Sequence, residues 1–216
     1  FVLMPTAIAD IPAKLVYGPP ANTEEQLILQ NLKKENIAAE VISLVNEKFK
    51  LPRPFRIVFG GNDGPLYDPE ANDILIPYAF VAEVEERFGE IKYSQTGVSV
   101  EQATEDALMH TLYHELGHAL INMFELPVVG KEEDAVDGLA NVLLIEFYQH
   151  GQETVISAAD LFDLESTDRE VLEEADFWDE HSLDAQRFYS ALCHVYGSDP
   201  DKYASIVDMF HKYTEV

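Results

Sequence analysis

The sequence predicts an α+β fold, with a small N-terminal sheet followed by a mostly helical C-terminal part. Three observations predict it. Short apolar runs bounded by Gly and Pro occupy the first third of the chain. Apolar residues at helical spacing dominate the rest. Between the two, an apolar helix carries His114-Glu115-Leu116-Gly117-His118.

The elements follow in order. Ala13-Lys-Leu-Val-Tyr17 reads as a strand closed by Gly18-Pro19-Pro20. Asn22 or Thr23 caps an amphipathic region that runs to about Phe49, with a break near Glu35-Asn36. Pro52 and Pro54 stop it, and Phe55–Phe59 reads as a strand ended by Gly60-Gly61. After a turn at Asn62–Pro65, residues 65–67 and 73–78 read as hairpin strands. Pro77 marks the second as an exposed edge, because it lacks the donor that a central ladder needs. A helix at about Phe80–Phe88 and a polar loop from Gly89 to Val98 lead into the central helix, which starts near Ser99 or Thr104.

Pro127 and Gly130 break the chain after that helix, so a second helix packs back on the first. It opens on Lys131-Glu-Glu-Asp134 and runs apolar to Tyr148, with His150 expected at its C-terminal end. Leu183–Tyr196 reads as a helix, and Ser198-Asp-Pro200 as the opening of the last one. Cys193, the sole cysteine, excludes an internal disulfide and is expected to be a buried, inert thiol. His194 and His211 are expected in packing or surface roles.

At 216 residues the chain reads as one domain, with an upper α/β lobe to about residue 125 and a helical lobe from about 126 to 216. With 14 Lys and Arg against 40 Asp and Glu, the net charge is −26, which excludes nucleic acid and anionic membranes as partners. It favours neutral or basic substrates. No apolar run reaches the length of a membrane span. The first residue is Phe, and the expectation is an exported chain, periplasmic or secreted, with its signal peptide removed.

The chemistry is concentrated in the central helix. Residues four apart lie one turn apart on the same face, so His114 and His118 can aim two imidazoles at one metal ion. Glu115, beside the first, can reach a metal-bound water as general base. Two His and a Glu in an apolar helix would be costly without such a partner. Gly117 costs about 1 kcal/mol against Ala in a helix interior, which implies a close neighbour. A catalytic zinc takes three protein ligands. Glu133 is the expected third, with Asp137 one turn on to hold the free nitrogen of a ligand His. Glu132 is set aside because the residue four further on, Val136, cannot orient a His. His181, among Asp179, Glu180 and Ser182, is the expected stabiliser of an oxyanion. Arg187 is a further cation for the site or a partner for local acids. His110, one turn before His114, is expected near the ligands but not among them.

The order HExxH then Glu133-Asp134-Ala135-Val136-Asp137 resembles the gluzincin arrangement of zinc metallopeptidases. The chain also resembles a bacterial metallopeptidase family of unassigned substrate. The shared segments include Leu51-Pro-Arg53, Tyr67-Asp-Pro69, Gly130–Asp134, Asp179–Ser182, Gln186–Tyr189 and Tyr196–Pro200. The resemblance implies a zincin-like fold, one zinc per chain at His114, His118 and Glu133, Glu115 as base, and a peptide or protein substrate. It implies a substrate added in extended form to the edge near residues 65–78, where Pro65 departs from the family pattern. The alternative is a zincin-like binding module without productive activity. A carboxylate-bridged di-iron site is disfavoured, since no second Glu-x-x-His occurs.

Overall fold

The computed structural model describes residues 12–91, 93–168 and 171–211. Its sheet has four strands in the order β1-β2-β4-β3. Strands β1 (Lys14–Tyr17), β2 (Arg56–Phe59) and β4 (Asp73–Ile76) are mutually parallel, and β3 (Leu66–Asp68) runs antiparallel beside β4. The expected edge is therefore displaced by one strand. β4 is internal, and Pro77 lies beyond it as the residue before α3, where no ladder bond is lost. The free edge on that side is β3.

Among the described residues, eight α-helices surround the sheet or extend from it. Asn22 caps α1 (Thr23–Glu35), accepting from the Glu25 amide. Asn36 adopts a left-handed conformation with φ 63° and separates α1 from α2 (Ile37–Lys48). Asn is one of the few residues that tolerates that region. Helix α3 (Tyr78–Glu90) follows β4 directly. The polar loop after it contains a 3₁₀ turn at Tyr93–Thr96, whose Tyr93 is buried and donates to Asp160 at 2.6 Å.

Helix α4 (Val100–Phe124) is capped by Ser99 and forms the centre of the molecule. Sixteen of its 25 residues are buried, so it is covered on all sides rather than along one stripe. Helices α5 (Glu132–Phe147) and α6 (Gly151–Ser166) pack against it, as do β3, β4, α2 and α3. Gly117 explains how closely α5 approaches. A Cβ there would lie 2.7 Å from both Cβ and Cγ1 of Val136. One apolar cluster joins the sheet, α4 and the C-terminal helices.

The C-terminal part departs from expectation in three places. Helix α5 ends at Phe147, and His150 precedes α6 with no capping bond from its side chain. Helix α7 (Asp184–Ser198) buries Phe188, Ala191, Leu192 and Val195, which leaves Cys193 on the opposite, exposed face. Ser198 ends α7, and the last helix, α8 (Ser205–His211), begins only after a turn in which Asp199 accepts from the Lys202 amide. The side chain of His211 lies outside the described residues. No helix among the described residues is long and apolar enough to cross a membrane.

Candidate metal centre

The site is built where α4 and α5 touch. His114 Nδ1 donates to Asp137 Oδ1 at 2.7 Å, and His118 Nδ1 donates to Glu132 Oε1 at 2.9 Å. With each Nδ1–H committed to a carboxylate, Nε2 is the ring atom that a metal would take, displacing the proton shared with Glu133. Both Nε2 atoms point at one atom of α5. Glu133 Oε2 lies 3.1 Å from His114 Nε2 and 3.3 Å from His118 Nε2. One ligand atom from each of these three residues fits within a 4.8 Å span. Nitrogen and oxygen donors about 2.0–2.1 Å from a tetrahedral ion stand roughly 3.3–3.4 Å apart, so the two His–Glu spacings and the donor types are compatible with zinc.

The electrostatics agree. Burial works against the His114 cation, but Asp137 and Glu133 outweigh it and push the imidazole up to about 9. His118 is also raised, against its own burial, by Glu133 and Glu132. Burial works to raise Glu133 and Asp137 too. Hydrogen bonds from His114, His118 and His181 hold Glu133 below the usual carboxylate range, and His114 and Arg187 do so for Asp137. The field at this junction favours positive charge. Glu115 is buried beside it, and burial raises its carboxyl against the pull of His114 and His118. The backbone of Tyr67, on β3, hydrogen-bonds to Glu115. That contact links the edge strand to the helix.

Above these residues lies a cleft of about 380 Å³. Pro65, Leu66 and Tyr67 of the β3 side form one wall, and Glu132, Glu133, Glu180 and His181 form the other. His181 Nε2 stands 3.0 Å from Glu133 Oε2, with its ring nearly parallel to that of His114 at 6.2 Å. His181 is not one of the three clustered donors.

Arg187 lies beneath the cleft floor. Its Nε and one terminal nitrogen donate to the two oxygens of Asp137 at 2.7 and 3.0 Å, and its guanidinium lies 4.0 Å over the Phe162 ring. It is a partner for a local acid rather than a cation available to substrate. His110 faces Asn141 at 3.1 Å, and burial pushes its imidazole down to about 4.

A family model described as "putative metallopeptidase" matches residues 17–215. The chain belongs to that family. No curated protein and no solved structure matches it. The resemblance carried by short segments thus extends over nearly the whole length, and metallopeptidase membership agrees with a metal-capable trio on α4 and α5.

The structure brings His114, Glu115, His118, Glu133 and His181 to one cleft, with Asp137 and Arg187 behind it. Two residues at the start of α5 escape the sequence reading. Glu132, set aside for lack of an orienting partner, is itself the orienting group for His118. Lys131 binds the backbone that carries His181. Both lie in the shared segment Gly130–Asp134. The Tyr67 hydroxyl donates to Asn72 at 2.6 Å and accepts from Arg53 at 3.3 Å, and Arg53 also donates to Asn122. Arg53 and Tyr67 belong to two further shared segments, which was the available signal.

Proposed function

We propose that the chain is a zinc-dependent peptidase that cleaves neutral or basic peptides. The observation that carries the reading is the convergence of His114 Nε2, His118 Nε2 and Glu133 Oε2 beneath a cleft that also holds Glu115. His114, His118 and Glu133 would hold the zinc, which when bound would supply a Lewis acid for the scissile carbonyl and a water of lowered pKa.

The chain's own residues do the rest. Glu115 accepts a proton from the attacking water at its carboxylate and passes it to the leaving amine. Burial raises its carboxyl, which suits a group that must both take and release a proton. His181 stands on the cleft wall with Nε2–H toward Glu133, and that N–H has to turn from Glu133 to serve the developing oxyanion. Asp137 and Glu132 keep the two imidazoles in one tautomer and orientation. Leu66–Asp68, at the free edge of the sheet, offer the backbone for an extended substrate, and Pro65 ends that pairing because it has no N–H. Glu132 and Glu180 line the cleft and, among the described residues, no Lys or Arg does, which favours neutral or basic peptides.

The order of sheet, HExxH helix, ExxxD helix and C-terminal helices supports a zincin-like fold. In this reading the chain is one domain with a cleft between its upper and helical lobes. Pro65 at the edge strand favours a second reading, a binding module that keeps the metal without turnover. An intact, buried Glu115 favours the enzyme.

The test is metal content with a matched set of variants. About one zinc per chain is expected, lost in His118→Ala and Glu133→Ala. Glu115→Gln should keep the zinc while cleavage of a fluorogenic peptide mixture falls by about 10²–10⁴. No zinc uptake by the wild-type chain would sink the peptidase reading. Zinc uptake with equal cleavage by wild type and Glu115→Gln would remove Glu115 from its role.

A further inference from the structure

Three consecutive residues open the second site helix, and each reaches a different part of the site. Glu133 meets the imidazoles and Glu132 holds His118. Lys131 reaches across the cleft wall. Its Nζ donates to the carbonyl oxygens of Asp179 and His181, each at 2.9 Å. His181 is thus held twice from one end of α5, by Lys131 at its backbone and by Glu133 at its Nε2.

Local preference does not explain a lysine there. Lys131 occupies the N-cap of α5 and makes no capping bond with its side chain. Ser, Thr, Asp or Asn is favoured at that position, and a cation faces the positive end of the helix dipole. A residue that breaks the local rule points to a gain made elsewhere. The visible gain is the segment it binds, which has little packing of its own. The 3₁₀ turn at Glu174–Phe177 contains no buried residue, and Phe177 and Trp178 are 66% and 78% exposed. An ammonium has three donors and no acceptor, so one Lys can hold two carbonyls in place.

We propose that Lys131 is a positioning residue for His181. It ties the backbone of residues 179–181 to the start of α5 and thereby sets the His181 imidazole on the cleft wall. The structural claim stands on geometry alone, and only its kinetic consequence rests on the peptidase reading.

The experiment uses the full chain with Lys131→Met, which keeps the length and apolar stem, and Lys131→Arg, which keeps donors. Hydrogen exchange at the His181 amide, which donates to Asp179 Oδ1 at 2.9 Å, reports the segment directly. Exchange is expected to quicken about tenfold in Lys131→Met and to return toward wild type in Lys131→Arg. Zinc content should not change. With the fluorogenic peptide mixture, kcat should fall about tenfold with KM within about twofold, and Lys131→Arg should recover most of it. Adding Lys131→Met to His181→Ala should cost nothing further, because the two residues act through one group. Unchanged exchange in Lys131→Met, or a further loss in the double variant as large as in the single one, would overturn the proposal. If the wild-type chain cleaves no peptide, the exchange measurement alone decides the role of Lys131, and it is the peptidase reading that fails.

Discussion

Replacing Gly117 by Ala tests how tightly the two site helices are packed. In an exposed helix this change gains about 1 kcal/mol. Here the new Cβ would sit 2.7 Å from Val136 Cβ and Cγ1, and ordinary contact begins at 3.4 Å. Val136 is fully buried, and its own Cα would lie 3.3 Å away, so a rotamer change cannot clear the space. Helices α4 and α5 must separate by about 0.7 Å. Overpacking of this kind costs roughly 1–3 kcal/mol, and a fully buried backbone-proximal site belongs at the upper end. Net of the propensity gain, the loss is about 2 kcal/mol, or a fall in Tm of about 4–8 °C for a chain of this size. Metal sites tolerate displacements of about 0.2 Å, so separating Glu133 from the two imidazoles should also weaken zinc binding by about tenfold or more. Melting without metal isolates the packing effect from the binding effect. Chelator competition then measures affinity. The combination with Val136→Ala should melt higher than the sum of the two single changes predicts. A Gly117→Ala chain that melts at or above wild type, with unaltered zinc affinity, would refute the close-approach argument.

Two further outcomes follow from the partners of the imidazoles. Glu132→Gln preserves an acceptor for His118 but removes its charge, so zinc affinity should fall about tenfold at unchanged stoichiometry, measured by chelator competition. Equal affinities would reduce Glu132 to a surface carboxylate. His110 supplies a pH signature, because burial holds its imidazole near 4 in the fold and an unfolded His titrates near 6.5. Between those values the unfolded state binds the extra proton, so this group's contribution to stability is present above pH 6.5 and is lost as pH falls toward 4. His110→Gln should lose less stability than wild type over that interval in urea midpoints. Parallel profiles would contradict the neutral, buried assignment.

The HExxH trio was readable because 3.6 residues per turn forces His114 and His118 onto one face, whatever surrounds the helix. Glycine and proline punctuation placed most elements for the same local reason, and Asn36 and Ser99 mark their boundaries as capping chemistry requires. The ExxxD spacing likewise placed Glu133 and Asp137 together. Choosing among Lys131, Glu132 and Glu133 was a different matter. Neighbours on a helix diverge by about 100°, so which of them meets α4 depends on the rotation of α5, and that is set by Val136 seated on Gly117. The commitment of Arg187 to Asp137, the exposed face given to Cys193 and the placement of β3 rather than β4 at the free edge have the same origin. Each is a relation between elements, decided by packing or pairing across them. Local periodicity carries a helix and its face, and the contacts between helices come only with the assembled core.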